Sequence, residues 1–111
     1  MAATQPIPDL SAAELDALRR DGKAPRIIDV REPWEFAIAR LDEAELMPLG
    51  GIQEWADSLD REQAILVMCH HGSRSGMACA YLRARGFKNV ANLAGGIHAW
   101  SMTVDPRVPR Y

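Results

Sequence analysis

The chain has 111 residues, 48% of them hydrophobic and 25% charged, with a net charge of −2. A domain usually takes roughly 100–200 residues, so the length sets a single domain over 1–111, and the composition excludes a disordered chain. The near-neutral balance offers nothing for broad nucleic-acid binding. The two cysteines, Cys69 and Cys79, are too few for a disulfide framework. The apolar run Ala64–Cys69 is far short of the roughly 20 residues that a membrane span needs. Met1–Pro6 has neither the basic start nor the apolar stretch of a signal segment, so the expected compartment is the reducing cytoplasm.

The first local signal is Ser11-Ala12-Ala13-Glu14, a capping box that opens a helix ending near Asp21-Gly22, with Leu15 and Leu18 on its apolar face and Leu10 as its staple. Arg26–Val30 reads as a short buried strand. Pro33 suits the first turn of a helix through Ala37. Leu46-Met47 is a weak strand stopped by Pro48, and Gly50-Gly51 opens a short helix carrying Ile52, Trp55 and Leu59. Ile65–Met68 is apolar at every position, as a strand covered on both faces requires. A helix from about Ser75 to Arg85 follows, with Gly86 just past its end. Phe87–Leu93 supplies another strand, and Gly95-Gly96 introduces a last short helix with Ala99 and Trp100. An irregular tail is expected from Ser101. Strands that alternate with helices predict an α/β domain with a central parallel sheet flanked by helices on both faces. Its core covers about 10–100, and 101–111 form the tail.

Cys69 falls where the buried strand Ile65–Met68 ends and a helix begins, the position at which open α/β sheets bind ligands. Unpartnered N–H groups in the first helical turn, aided by the helix dipole, make an anion site there. Gly72 lets the loop turn so that several N–H groups point inward. Ser73 and Ser75 add hydroxyl donors, Arg74 adds a fixed charge, and His70 and His71 stand where a donor anion would arrive. Thiolate is the nucleophilic form of cysteine, and such surroundings favour it. The loop therefore predicts Cys69 as a nucleophile facing an anion held by Arg74, His70, His71, Gly72, Ser73 and Ser75.

Three blocks resemble the single-domain rhodanese family of sulfurtransferases: Ile27–Glu32 with Trp34-Glu35-Phe36, the loop Cys69–Ser75, and Leu93–Trp100. The resemblance spans about Leu10 to Trp100, and the likeness is closer still to small bacterial rhodanese-like proteins with a Cys-His-His-Gly loop. It implies a central parallel sheet, a cysteine persulfide intermediate and neither metal nor organic cofactor. The partners it implies are a small anionic sulfur donor such as thiosulfate and a thiol acceptor or sulfur-relay protein. The sequence departs from the family after Phe36, where a Gly-His-Ile-Pro-Gly-Ala-like stretch is replaced by Ile38–Glu45, with Arg40 at the histidine position.

Two other classes compete. A cysteine phosphatase or arsenate reductase would also use a cradled thiolate, but phosphatases place the arginine one residue further from the cysteine than Arg74 stands from Cys69, and the loop holds no aspartate. A non-catalytic rhodanese-like recognition module would not need Cys69. Adjacent His70 and His71 in a tight loop are expected to point apart, which argues against metal ligation. Cys79, well down the next helix, reads as a core residue, and His98 as a surface one. Trp34, Trp55 and Trp100 read as core or rim packing, and Asp29, Arg31 and Glu32 as a clasp between strand and helix.

Overall fold

The computed structural model describes residues 8–111; Met1–Pro6, read above for a signal segment, lie outside them. The elements run β1 Asp9–Leu10, α1 Ala12–Arg20, β2 Arg26–Asp29, α2 Pro33–Ile38, β3 Glu45–Leu46, α3 Ile52–Trp55, β4 Ile65–Met68, α4 Ser73–Ala84, β5 Val90–Leu93 and α5 Gly96–Thr103. The five strands form one parallel sheet in the order β1-β5-β4-β2-β3. Among the described residues no helix is long and apolar enough to cross a membrane.

Alternation along β4 divides the core. Ile65 and Val67 face one side, where Ile52, Ala56 and Leu59 of the α3 segment pack with Ala78, Cys79 and Leu82 of α4. Leu66 and Met68 face the other, against Ala12 and Leu15 of α1 and Ile97 and Trp100 of α5. Side chains alternate across a strand, so an all-apolar strand is what two covered faces demand, and β4 is buried at all four positions. From β2 the chain moves outward to β3, and from β4 it moves the opposite way to β5. The carboxyl ends of β2 and β4 therefore flank a topological switch point, the usual ligand crevice of such sheets.

The capping box forms as expected: Ser11 Oγ accepts from the Glu14 N–H at 3.1 Å and Glu14 Oε1 from the Ser11 N–H at 2.9 Å. Several boundaries differ from the sequence expectations. Leu10, read as a staple, lies in an edge strand, Asp9–Leu10, that pairs with β5. Helix α4 starts at Ser73 rather than Ser75, because Gly72 caps it in a left-handed conformation, φ 111°. The last strand begins at Val90 rather than Phe87. The Phe87 N–H closes α4 onto the Leu82 carbonyl while the Gly86 N–H takes that of Arg83, a Schellman arrangement. Helix α5 runs on to Thr103, past the expected start of the tail. There buried Ser101 Oγ donates to the Val108 carbonyl at 2.6 Å and ties the tail back onto the helix.

Candidate active site

Cys69 continues the side-chain row of Ile65 and Val67, so its sulfur points to the face that carries α4. Three donors meet there: the Gly72 N–H at 3.1 Å, the Ser75 N–H at 3.3 Å and the Ser75 hydroxyl at 3.2 Å. The carbonyls of the loop are taken up elsewhere. Those of Cys69 and His70 accept the Ile97 and His98 N–H groups of α5 at 2.9 and 3.1 Å. With its carbonyls held by α5, the loop turns its N–H groups toward the sulfur. The contact is close: a Cβ on Gly96 would stand 2.3 Å from the His70 carbonyl oxygen and 2.5 Å from that of Cys69, and Gly96 has φ 62°. Only glycine fits there.

Ser75 has one hydroxyl proton and two acceptors. Besides Sγ, its oxygen lies 2.5 Å from Asn92 Oδ1. Asn92 is oriented by its own amide, which donates to the Gly72 carbonyl at 3.0 Å. The Ser75 proton is thus free to turn toward Sγ when the sulfur carries negative charge and toward Asn92 when it does not.

Arg74 is placed differently from the sequence expectation. Its fork is taken up by Glu35, with Nη1–Oε1 2.6 Å and Nη2–Oε2 2.9 Å. The sequence places Arg74 in the loop but says nothing of a buried carboxylate arriving from α2. The Arg74 fork draws the Glu35 carboxyl down from 4.5 to about 2. Behind this pair, Arg31 is fully buried and binds both carboxylate oxygens of Asp29, at 2.9 and 2.7 Å, and the carbonyls of Glu35 and Ala39. Of the three residues read as a clasp, Asp29 and Arg31 form it and Arg31 carries it on to α2, while Glu32 is exposed at the N-cap of α2. Tyr111 Oη accepts from Arg31 at 2.8 Å and donates to Glu35 at 2.7 Å.

The two loop histidines do not point apart. Their rings stack with centroids 4.0 Å apart and 26° between planes, and His70 is covered on a second side by Tyr111, at 4.0 Å and 9°. Burial, with the neighbouring His71 second, pushes His70 below its ordinary pKa. Helix α5 brings His98 to 5.0 Å from the His71 ring, so His98 belongs to this cluster rather than to an unrelated surface. The reason offered from the sequence against metal ligation here does not hold, because packing on Tyr111 and α5 sets the ring directions. Ser73 is exposed at the first position of α4.

Cys79 is fully buried, and burial pushes its thiol up to about 12. Trp100 is core and Trp55 half-buried, its Nε1 donating to the Pro48 carbonyl at 2.9 Å. Trp34 is 62% exposed and meets Tyr111 in a T-shaped arrangement, which puts it at the rim of the site. The departing segment keeps Leu41 and Ala44 buried, while its acidic residues pair with Arg19 through Glu43 and with Arg26 through Glu45. A separate cleft of about 420 Å³, lined by Arg19, Arg40, Glu43, Trp100 and Arg107, does not include the cysteine loop.

Five residues of the site escaped the sequence reading as participants: Glu35, Asn92, Gly96, His98 and Tyr111. Glu35, Gly96 and His98 stand inside blocks that carry the family resemblance, a signal that could have marked them. Asn92 and Tyr111 carried none.

A cysteine sulfur held by backbone N–H groups at the carboxyl end of a central parallel strand defines a cysteine-loop α/β domain. The comparisons agree on which one. The family model described as Rhodanese-like domain matches residues 11–103, so the chain belongs to the rhodanese-like sulfurtransferase family. It is 37% identical over 114 residues to the Rhodanese-like/PpiC domain-containing protein 12, chloroplastic, of Arabidopsis thaliana, covering 96% of this chain but only 38% of that relative. It is 30% identical over 90 residues to the thiosulfate sulfurtransferase GlpE of Pseudomonas fluorescens, covering 81% of each. Among solved structures, a rhodanese-like domain protein from Staphylococcus aureus superposes with a TM-score of 0.79 at 30% identity, over 85% of this chain and 91% of that one.

Proposed function

We propose that the protein moves a sulfane sulfur from thiosulfate or a persulfide donor to a thiol acceptor through a persulfide on Cys69. The observation that carries this reading is the meeting of the Gly72 and Ser75 N–H groups and the Ser75 hydroxyl on one sulfur. The Cys69 thiolate attacks the outer sulfur of thiosulfate. A new S–S bond forms, the old one breaks, and sulfite leaves with its electron pair. The terminal sulfur of Cys69–S–S⁻ keeps a negative charge within reach of the same donors. An acceptor thiolate then attacks that terminal sulfur, and Cys69 leaves as thiolate. The resemblance to a thiosulfate sulfurtransferase over most of both chains supports thiosulfate as the donor. A reducing compartment such as the cytoplasm suits a cycle that starts from a free thiolate.

Arg74 acts in this reading as a positioning residue. Its fork is committed to Glu35, and its charge stands near Cys69. The same commitment disfavours a phosphatase, which needs an arginine fork free for the phosphoryl oxygens. The test is the intact mass of the protein after thiosulfate treatment. The wild type gains one sulfur atom, reductant removes it, and Cys69→Ser gains none. A wild-type chain that acquires no sulfur, or a Cys69→Ser chain that still does, overturns the reading.

A further inference from the structure

Histidine occurs three times in this chain, and all three side chains are gathered in one place. His70 and His71 come from the cysteine loop and His98 from the first turns of α5. Each offers a ring nitrogen, and the three nitrogens lie within 4.8 Å of one another. The cluster is built rather than incidental. The His98 N–H is bonded to the His70 carbonyl, which fixes α5 against the loop. The His70 ring is held between His71 and Tyr111. His70 Nε2 is shielded from solvent and has no hydrogen-bond partner among the described residues. A buried ring nitrogen without a partner is costly, and coordination is one way to satisfy it.

We propose that His70, His71 and His98 form a three-imidazole site for a divalent transition-metal ion of the zinc type. Three histidines with an open fourth position are an established donor set for Zn²⁺, and neutral imidazole suits Zn²⁺, Cu²⁺ and Ni²⁺ better than Mg²⁺ or Ca²⁺. A tetrahedral ion with bonds of about 2.0–2.1 Å needs its nitrogens roughly 3.4 Å apart, closer than the 4.8 Å that bounds the present set, so exposed His71 and half-buried His98 must turn about their side-chain bonds to close on it. Cys69 is not part of it. Its sulfur is held on the α4 face by Gly72 and Ser75. The ion therefore sits beside the sulfur cradle and leaves its fourth position to a ligand from solution. The site rests on histidines alone and stands whether or not the protein transfers sulfur.

The experiment is a calorimetric titration of ZnCl₂ into the reduced, tag-free chain, repeated with His71→Ala, His98→Ala and Cys69→Ser. Circular dichroism confirms that each variant is folded, and exposed His71 gives a ligand deletion that spares the core. One ion per chain is expected. Losing even a supporting partner of a metal ligand costs roughly 10–100-fold in affinity, so each histidine variant should lose at least that much, while Cys69→Ser binds as the wild type does. Co²⁺ in place of Zn²⁺ should give visible ligand-field bands and no thiolate-to-metal charge-transfer band. The proposal is overturned by the absence of saturable Zn²⁺ binding, by undiminished binding in both histidine variants, or by loss of binding in Cys69→Ser.

Discussion

The hydroxyl of Ser75 is the one side-chain donor among the three that meet on the sulfur of Cys69. Its two acceptors, Sγ at 3.2 Å and Asn92 Oδ1 at 2.5 Å, compete for it. Replacing Ser75 with alanine leaves the backbone donors in place and removes a hydrogen bond to a charged group, an effect of about 1.5–3 kcal/mol. Sulfur transfer by Ser75→Ala should fall roughly ten- to hundredfold in kcat/KM, with the melting temperature little changed. Unaltered kcat/KM would show that the two N–H groups suffice. At this scale Cys69, Gly72 and Ser75 were legible because strand, loop and helix follow one another in the chain. Glu35, Asn92 and Tyr111 were not, because each reaches the loop from a distant segment. The partner of Arg74 was not legible for the same reason: the buried carboxylate of Glu35 reaches it from a distant segment.

Between elements, the decisive contact is that of α5 with the cysteine loop. Two N–H groups from the start of α5 take the carbonyls of Cys69 and His70, and Gly96 makes the approach possible. A methyl group at position 96 would overlap both carbonyls and would also force an L residue to φ 62°. Gly96→Ala should therefore cost about 1–3 kcal/mol or more and should depress sulfur transfer beyond what the loss of folded protein explains. Melting curves beside activity per folded molecule separate the two effects. The clasp between α2 and α4 makes a second prediction. In a double-mutant cycle, Arg74→Ala and Glu35→Gln should each lower stability, and their effects should be strongly non-additive, by about 0.5–3 kcal/mol, because each removes the same forked pair. Additive losses would mean that the fork contributes little. Most elements were legible from caps, glycines and apolar runs, but their ends moved where tertiary contacts outweighed local signals. Helix α4 gained its first residues from the conformation of Gly72, and α5 runs on past Ser101, whose hydroxyl holds the tail against it.

Across the molecule, Glu35 joins three parts of the chain: α2 on which it stands, α4 through Arg74, and the tail through Tyr111. Its carboxyl titrates at about 2 in the fold against an ordinary 4.5. The folded value is the lower one, so the stabilisation is complete above pH 4.5 and disappears as the pH falls toward 2. Its size, from a shift of that extent, is up to about 3 kcal/mol. Glu35→Gln should thus be less stable than the wild type at neutral pH, and the gap should close in acid. Denaturant unfolding at several pH values from neutral downward measures it; a gap independent of pH would assign the loss to packing instead. The parallel sheet with two covered faces followed from the alternation of strands and helices. The order β1-β5-β4-β2-β3 was not legible, because nothing in a short apolar strand names its neighbours.

The sulfur of Cys69 sits at the floor of its loop, with the residue only 1% exposed. A partner must therefore present its reactive atom on a slender tip, and the domain selects by width before it selects by charge. An anion with its outer sulfur at one end meets that demand, as does a thiol on an extended side chain; a broad electrophile does not. Iodoacetamide should modify Cys69 far faster than a bulky fluorescent maleimide, although maleimides are ordinarily the more reactive reagents, and deeply buried Cys79 should react with neither until the chain unfolds. Comparable rates for both reagents would mean that the loop opens readily and the aperture is no filter.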